Sequence, residues 1–311
     1  MGNIRVIKTV FQIRPIEVIL QCKTNLTIKM KGIITSIVVC FAAMAATARN
    51  QAEIEVSYVA HTPSHRDGLT ELTNQYILLS NSSGSKFYSP MTDYIDSLNS
   101  TPDGKAKYQE MTRSAYLGGK PDRLPRKDGS YYVMKSFQDN KLRCYDNAGL
   151  ERYFYEEGPY EWHWMVSDST KEVLGYECIE ASTSFHGREW KVWFAPEIPV
   201  RNGPWKLDGL PGLILEAESE GGQYRFIATG IQQTDKTISP IYLASEYEKT
   251  SRMDFLKMKR AFLDNPLGKI EAQLGGNNAS ISTEDENGNI IDNHERIYVT
   301  REVVDFIETD Y

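Results

Sequence analysis

Histidine is the first side chain to consider for acid–base or metal chemistry in this chain, because its ordinary pKa lies near neutral pH. His61 and His65 have the spacing that places two metal ligands on one face of a helix. Pro63 lies between them, and a proline inside a helix removes a hydrogen bond and clashes with the preceding turn. The pair is therefore expected to lie in a polar loop.

A further histidine, His186, belongs to a polar group at a predicted turn. Phe185-His186-Gly187 joins two strand-like runs, and Arg188 and Glu189 follow directly. An imidazole, a guanidinium and a carboxylate at one hairpin tip can form a polar recognition site. The same residues are also typical of a solvated turn, and both interpretations stay open here.

Other catalytic signatures are missing from the sequence. There is no Gly-x-Ser-x-Gly nucleophile elbow, no Cys/His cluster with zinc spacing and no glycine-rich phosphate loop. Carboxylate pairs such as Glu156-Glu157 are common on exposed strands and have little specificity. We therefore predict no catalytic residue, no metal and no cofactor, and we favour a non-catalytic binding protein. The alternative is a metal-assisted hydrolase that uses the His186 group or the His61/His65 pair.

The tryptophans predict where a binding surface lies. All five fall between residues 162 and 205, and large aromatic side chains supply much of the apolar area of cores and binding sites. We expect a concave, aromatic-lined face of a sheet that binds an apolar ligand or a protein partner. The predicted binding residues are Trp190, Trp193, Trp205, His186, Arg188 and Glu189.

The elements that must position these residues follow a β pattern. Strands are predicted over residues 53–59, 76–80, 86–89, 131–137, 141–145, 152–155, 173–183, 189–194, 213–217 and 224–229. Two helices are predicted over 92–116, with an interruption at Pro102-Asp103-Gly104, and another over 251–264. Strands joined by short turns without alternating helices indicate a mainly β (β-rich α+β) protein. The expected architecture is a curved antiparallel sheet or a partly closed barrel with a few added helices.

The beginning of the chain predicts export. Residues 30–48 have a basic start, a short apolar core and an Ala-Thr-Ala end, which is the layout of a secretory signal peptide. The apolar run is too short for a membrane span, which needs about 20 residues. Residues 1–29 are expected to be an over-annotated start or a leader. The predicted location is the periplasm or the outer membrane surface, with no transmembrane segment after signal removal.

The charge balance excludes one class of partner. Residues 1–48 contain six Lys/Arg and one acidic residue, so the remainder carries 29 basic and 41 acidic residues and a formal charge of −12. A nucleic-acid-binding protein needs a basic footprint for the phosphates. We therefore expect no nucleic acid partner.

Two cysteines remain after the predicted cleavage, Cys144 and Cys178. In an oxidising compartment they can form a disulfide. They can equally be two small buried side chains that never meet. The sequence leaves both alternatives open.

The block Gly203–Ile214 combines turn residues with apolar ones. Asp208-Gly209 is typical of a tight turn, and Pro211-Gly212 fits the centre of a type II turn with positive φ at Gly212. Trp205, Leu207 and Leu210 are expected to cover the end of the sheet before the strand that starts at Leu213. The block is either a structural corner or a rigid loop that shapes a pocket. Its predicted structural residues are Gly203, Pro204, Gly209, Leu210, Pro211, Gly212, Leu213 and Ile214.

Gly209-Leu210-Pro211-Gly212-Leu213-Ile214 also spells the motif of a named family. The chain resembles the GLPGLI family of exported Bacteroidota proteins, and the resemblance is clear over residues 160–230. Upstream, Gly175-Tyr176-Glu177-Cys178, Gly187-Arg188-Glu189 and Trp193 are similar to the corresponding family positions. The resemblance implies an exported, β-rich protein, with a link to outer-membrane transport, and it implies no established biochemical activity.

The expected organisation follows from these patterns. Residues 49–270 are predicted to form a single GLPGLI-type β-rich domain, and residues 271–311 an acidic loop and C-terminal segment. The expected function is that of a binding or accessory protein of the cell envelope.

Overall fold

The computed structural model describes residues 51–64, 70–273, 283–284, 290–291 and 306–311. The stretch Gln51–Tyr311 forms one compact unit. Its helices are α1 (Pro90–Asn99), α2 (Pro102–Leu117), α3 (Arg252–Asp264) and α4 (Pro266–Gln273). Its strands are β1 (Ile54–Pro63), β2 (Glu71–Ser80), β3 (Gly84–Tyr88), β4 (Tyr132–Ser136), β5 (Lys141–Ala148), β6 (Glu151–Glu157), β7 (Met165–Val173), β8 (Tyr176–Phe185), β9 (Arg188–Ala195), β10 (Leu213–Ser219), β11 (Arg225–Gln233), β12 (Glu248–Lys249), β13 (Thr283–Glu284) and β14 (Ile290–Ile291).

Twelve of the described strands form one sheet in the order β12-β6-β5-β4-β3-β2-β1-β11-β10-β9-β8-β7. The β1–β11 pairing is antiparallel and joins a meander of β1 to β6 with a meander of β7 to β11. Strand β12 is the exception, because it runs parallel to β6. The edge strands β7 and β12 do not pair with each other, so the sheet is not closed. The predicted mainly β fold with a few added helices is confirmed.

The region around residue 174 differs from its prediction. The predicted strand 173–183 is interrupted at Leu174 and Gly175, which have φ of +54° and +83° and form the turn between β7 and β8. Strand β7 itself was not predicted, because most of its side chains are exposed and polar and give little alternation. A half-exposed edge strand lacks the apolar pattern on which sequence prediction depends.

The helices begin where capping residues predict. Ser89 and Thr101 accept hydrogen bonds from the amides of Thr92 and Gly104, and a proline follows each of them. A side-chain oxygen at this position satisfies a free amide of the first turn, and proline is favoured as the first helical residue. The predicted interruption at residue 102 is therefore the start of α2.

The sheet curves around an aromatic core. Tyr76 stacks on Phe87 with ring centroids 4.8 Å apart, and Tyr58 meets the same ring edge-on at 6.0 Å. The buried hydroxyl of Tyr58 donates to the carbonyl oxygen of Ile214 at 2.6 Å. Because β1 and β10 are separated by β11 in the sheet, this bond joins strands that are not neighbours and fixes the curvature at the Gly203–Ile214 block.

Residues 306–311 are part of this unit. Phe306 and Glu308 are both 3% exposed, although the sequence pattern separated residues 271–311 from the domain. The boundary placed at residue 270 therefore does not divide these six residues from the sheet. We refer to Phe306–Tyr311 as the 306–311 segment.

Some sequence predictions fall outside the described residues. These are the leader 1–29, the signal peptide 30–48 and His65. Within the described part of the chain, each helix is too short or too polar to cross a lipid bilayer.

Candidate functional site

The turn between β8 and β9 presents His186 to a buried cluster of charges. His186 and Gly187 have φ of +52° and +78°, and a two-residue hairpin turn of this kind requires positive φ at both central positions. Glycine is required at the second position for another reason, since a Cβ there would lie 2.3 Å from the Oγ1 of Thr309. The turn therefore packs directly on the 306–311 segment.

The Gly203–Ile214 block is tied to the other half of the sheet. Lys135 of β4 donates to the Oδ1 of Asn202 at 2.9 Å and to the carbonyl oxygen of Leu207 at 2.7 Å. Asn202 in turn donates to the Oγ of Ser80 at 3.1 Å. Since Lys135 and Asn202 are both buried, these bonds fix the block rigidly.

The backbone of the block turns four residues into the core. Trp205 has φ of +53°, a left-handed conformation that is rare for residues other than glycine. Trp205, Leu207 and Leu210 are at most 2% exposed, as expected for side chains that cover the end of the sheet. Lys206 is fully buried between them. The block is thus a rigid corner that also delivers a charged side chain to the interior.

The predicted role of Gly212 needs correction. Positive φ occurs at Gly209 (+91°), whereas φ of Gly212 is not positive. A Cβ on Gly212 would lie 2.3 Å from the carbonyl oxygen of Ala195 and 3.0 Å from the Cα of Pro196. Glycine is required there because the backbone at the end of β9 passes too close for any side chain.

Lys206 is the centre of the charge cluster. Its Nζ lies 2.7 Å from the Oε1 of Glu157 and 2.7 Å from the Oε1 of Glu308. The Nε2 of His186 lies 3.2 Å from the Oε2 of Glu157, and the ring of Tyr155 lies 5.0 Å from the Nζ of Lys206. All of these side chains except His186 are at most 7% exposed, and His186 is 9% exposed. The cluster is therefore held almost entirely away from water.

Arg252, at the start of α3, completes the cluster. It donates to the Oε2 of Glu308 at 2.7 Å and to both carboxylate oxygens of Asp310 at 2.8 Å. A two-pronged contact of this kind between a guanidinium and a carboxylate is stronger and more specific than a single bond. Four parts of the protein meet at this point: the sheet, the Gly203–Ile214 block (the motif block), α3 and the 306–311 segment.

The charges hold each other ionised. Burial by itself would raise the pKa of Glu157, but Lys206 and His186 outweigh it and keep that pKa below its usual value. Burial would likewise lower the pKa of Lys206, but Glu308 and Glu157 raise it above its usual value. The pKa of Asp310 is also lowered, because Arg252 outweighs the effect of burial. The cluster is a set of mutually compensated charges.

Three of these residues have the geometry of metal ligands. The ligand atoms of Glu157, His186 and Glu308 all lie within 4.8 Å of one another. The Nζ of Lys206, however, already bonds one oxygen of each carboxylate. Because an ammonium occupies the position between the two carboxylates, a metal ion would have to displace it. The residues do not fit a resident metal.

A cavity of about 550 Å³ opens beside this cluster. Trp205 and Glu308 contribute to its wall, so its inner end touches the charge cluster. Its volume lies within the range of small-molecule sites. The aromatic side chains of its wall include Tyr76, Tyr131, Tyr155, Tyr224, Phe255 and Phe306. We refer to it as the aromatic cavity.

A second hollow, of about 630 Å³, lies along the motif block. It is lined by Trp162, Arg201 and Gly209 among others. Trp162 packs on Phe185 and Trp164, with ring centroids 4.6 Å and 5.5 Å apart. Its wall contains three aromatic side chains, Phe137, Tyr160 and Trp162, whereas the wall of the first cavity contains eight. We therefore take the aromatic cavity as the candidate binding site.

The predicted tryptophans do not form one binding face. Trp190 is 1% exposed and packs on Trp205 with ring centroids 5.3 Å apart, so it is a core residue. Trp193 is three residues further along β9, and an odd spacing on a strand puts it on the opposite face. There the Nζ of Lys171 lies 4.5 Å from the centroid of its ring. Of the three, Trp205 alone lines the aromatic cavity.

The polar group at the β8–β9 turn is also divided. Arg188 donates to the carbonyl oxygens of Phe306 and Ile307 at 3.2 and 3.1 Å. Glu189 is exposed and accepts a hydrogen bond from Ser184. His186 and Arg188 thus face the 306–311 segment, and Glu189 does not. His61, of the other predicted pair, bonds Glu71 at 2.8 Å in an exposed position.

The two cysteines are both free and buried. Cys144 lies on β5 and Cys178 on β8, in opposite halves of the sheet order. Burial raises the pKa of the Cys144 thiol, and burial raises that of Cys178 to about 11. Of the two alternatives that the sequence left open, the structure contains the unpaired one.

Glu157 was not predicted as a site residue, because it was grouped with Glu156 as an exposed pair. Glu156 does bond the surface residues Arg143 and Lys249. Glu157 instead shares the buried face of β6 with Tyr153 and Tyr155, as the two-residue period of a strand requires. That shared parity was the available signal.

Comparison with known proteins adds a partial match. Residues 131–259 match the family described as N-glycanase peptide, N-terminal domain. No curated protein matched the chain. Among solved structures, PNGF-II in two crystal forms aligns over 67% of this chain, with 15% sequence identity and a TM-score of 0.44. The alignment covers 32% and 33% of those chains, about a third of their length, and this TM-score does not establish a common fold. The stretch from β4 to α3 is therefore similar to the N-terminal domain of the N-glycanase peptide family.

Proposed function

We propose that this protein is an exported GLPGLI-family binding protein of the cell envelope, which takes a small apolar or amphiphilic ligand into the aromatic cavity. The observation that supports the proposal best is the cavity itself, about 550 Å³ in volume and lined by eight aromatic side chains together with six charged ones. Aromatic surface combined with fixed polar groups is typical of small-molecule sites.

The charges around the cavity favour a ligand without a strong net charge. Lys259 is paired with Asp146, and Lys127 lies 2.5 Å from the Oδ1 of Asp96. At the inner end, Glu308 is neutralised by Lys206 and Arg252. Since these ions already have partners, ligand binding would be driven mainly by contact with the aromatic rings.

The hydrolase alternative is less favoured by the site. Its first version requires His186 to work with Arg188 and Glu189 or with a metal ion, but Glu189 is turned away and Lys206 occupies the position between the carboxylates. Its second version uses the His61/His65 pair, of which His65 lies outside the described residues. The buried charges bond one another rather than an open position for substrate. A binding role accounts for both the cavity and the closed cluster.

The match of residues 131–259 supports a second candidate ligand. The name of the matched family refers to an N-glycanase, so a glycan or a glycan-bearing peptide is the second class to test. Aromatic rings can stack on sugars as well as on apolar chains. A glycan would have to reach the rings of Tyr76 and Tyr131, which line the cavity.

Export is part of the proposal and has its own test. If residues 30–48 act as a signal peptide, the mature protein should begin close to residue 49 and be found in the envelope fraction. N-terminal sequencing of the protein purified from its own cells measures this directly. A mature chain that retains residues 30–48 in the cytosol would contradict it.

Ligand binding can be tested with the purified chain Gln51–Tyr311 and a fluorescent naphthylamine probe. We expect saturable binding of one probe per chain, with displacement by long-chain fatty acids or lysolipids. A soluble glycopeptide is tested as a competitor in the same assay. Displacement by the glycopeptide alone would favour the second candidate, and absence of any saturable binding would overturn the proposal.

A further inference from the structure

The 306–311 segment is held as an extended peptide would be held in a groove. The amide of Thr309 donates to the carbonyl oxygen of His186 at 3.0 Å, and its Oγ1 donates to the carbonyl oxygen of Gly187 at 2.9 Å. Arg188 bonds the carbonyl oxygens of Phe306 and Ile307. The bond from the Thr309 amide and the bonds from Arg188 involve main-chain atoms of the segment, and such contacts position a bound peptide without reading its sequence.

Every second side chain of the segment has its own binding partner in the groove. The carboxylate of Glu308 meets Lys206 and Arg252, and that of Asp310 meets Arg252 and lies 3.3 Å from the Nδ1 of His186. The guanidinium of Arg260 lies 4.2 Å from the ring centroid of Phe306. These contacts favour an aromatic residue followed at two-residue intervals by Glu and Asp.

The walls of the groove come from elements other than the segment itself. His186 is fixed by the β8–β9 hairpin, Lys206 by the motif block and Arg252 by its place at the start of α3. The segment itself adds no strand to the sheet within the described residues. The groove is therefore built by the fold, and the segment fills it.

We propose that this groove is a peptide-binding site for the pattern aromatic-x-Glu-x-Asp, filled in the structure by the chain's own 306–311 segment. Phe306, Ile307 and Glu308 also line the aromatic cavity, so the segment forms one wall of it. Release of the segment opens that wall to ligand. This last consequence rests on the function proposed above, whereas peptide binding does not.

The test uses the full chain with a protease site introduced between residues 300 and 305. After cleavage and gel filtration, a fluorescent peptide Phe-Ile-Glu-Thr-Asp-Tyr with blocked ends is titrated and its anisotropy measured. We expect saturable binding to the cleaved protein and at least tenfold weaker binding to the uncut protein, in which the groove is filled. A peptide with Gln and Asn in place of the two acids should bind at least tenfold more weakly than the acidic one.

Two variants assign the binding to the groove. Arg252→Met in the cleavable chain should weaken peptide binding at least tenfold. Arg143→Met serves as the control, because Arg143 on β5 pairs with Glu156 on β6 at the protein surface. The affinity of this variant for the peptide should match that of the parent. Equal affinity of the Arg252→Met variant would overturn the proposal.

The experiment distinguishes failure of the peptide-site proposal from failure of the proposed ligand binding in the cavity. If cleavage abolishes the cooperative unfolding transition, the segment is part of the core and the peptide-site proposal is wrong. If the cleaved protein binds the peptide but takes up the naphthylamine probe no faster than the uncut protein, the segment does not close the cavity. If neither form binds the probe while the peptide still binds, the function proposed above fails and the peptide site stands.

Discussion

The Nζ of Lys206 lies 2.7 Å from the Oε1 of Glu308, and both side chains are almost completely buried. Lys206 belongs to the motif block and Glu308 to the 306–311 segment. A single ion pair thus connects the most recognisable part of the sequence to a segment that the sequence pattern had placed outside the domain. The same glutamate borders the aromatic cavity.

Replacement of Lys206 by methionine should destabilise the protein strongly. The substitution leaves the carboxylates of Glu157 and Glu308 buried without their shared partner, and loss of one member of a buried ion pair costs about 3–5 kcal/mol. Urea unfolding followed by tryptophan fluorescence measures the change. Lys249→Met is the matched control, since Lys249 is 62% exposed and pairs with Glu156, and it should cost less than about 1 kcal/mol. Equal losses in the two variants would contradict the central role of Lys206.

Gly212→Ala should destabilise the protein although φ at this residue is not positive. The new Cβ would meet the carbonyl oxygen of Ala195 at 2.3 Å, and overpacking of this kind costs about 1–3 kcal/mol. Gly230→Ala is the control, because a Cβ there would have no neighbour within 4 Å and φ is not in the positive range. Its unfolding free energy should stay within about 0.5 kcal/mol of the parent. An unchanged midpoint for Gly212→Ala would show that the close approach to β9 does not exist.

Val133→Phe should weaken ligand binding and also lower stability, because Val133 is 1% exposed and overpacking costs about 1–3 kcal/mol. Val133 lines the aromatic cavity, so the larger ring would occupy space that the ligand needs, and we expect at least tenfold weaker binding of the naphthylamine probe. Val166→Phe is the control, because Val166 is 56% exposed on β7 and does not line the cavity. Probe titration and thermal unfolding of both variants test the prediction. Undiminished probe affinity in Val133→Phe would place the ligand elsewhere.

Stability should fall in acid because of the carboxylates of the charge cluster. The pKa values of Glu157 and Asp310 are lowered in the folded state, so their contribution is complete above their usual values of 4.5 and 3.8 and is lost as the pH falls through the lower folded values. Lys206, whose pKa is raised, loses its contribution only in strong alkali and does not affect this window.

Asp310→Asn tests this pH dependence. The difference in unfolding free energy between the parent and this variant should be constant from pH 7 to pH 5 and shrink below pH 4, as Asp310 of the parent becomes protonated. Asp168→Asn on the exposed strand β7 should show little difference at any pH. A difference between the parent and Asp310→Asn that persists unchanged at pH 3 would exclude the predicted ionisation.

The two thiols should be unreactive in the folded protein. Cys144 and Cys178 are buried, and burial raises both pKa values, which leaves little thiolate at neutral pH. A thiol reagent should modify neither residue in native buffer and both in urea, and a reductant should not change the melting temperature. Detection of a Cys144–Cys178 disulfide by mass spectrometry would contradict the structure.

Prediction from sequence succeeded where a pattern is local. The turn between the strands predicted over 76–80 and 86–89, the division between α1 and α2 at Pro102, and the start of α3 after Ser251 each depend on turn or cap residues next to the element they delimit. Gly209 was likewise identified as a turn residue from its neighbour Asp208. These features need no knowledge of distant parts of the chain.

Prediction failed where a residue's role depends on a distant partner. Gly212 is glycine because of Ala195, which approaches it from another strand. The assignment of Trp190 and Trp193 to one face was instead a local error, because the two-residue period of the strand places them on opposite faces. Glu157 and Glu308 looked like ordinary acids until the fold brought Lys206 and Arg252 to them.

The sequence by itself determined the fold class, the turn at Asp208-Gly209 and the resemblance to a named family, because strand alternation and turn chemistry act over a few residues. Only the tertiary structure decided that Glu157, His186, Lys206, Arg252 and Glu308 form one cluster beside a cavity. Burying an acid or a lysine is unfavourable unless an opposite charge is supplied. That charge comes here from residues far apart in the chain, so the parity of β6 could indicate that Glu157 faces inward, but no local pattern could identify its partners.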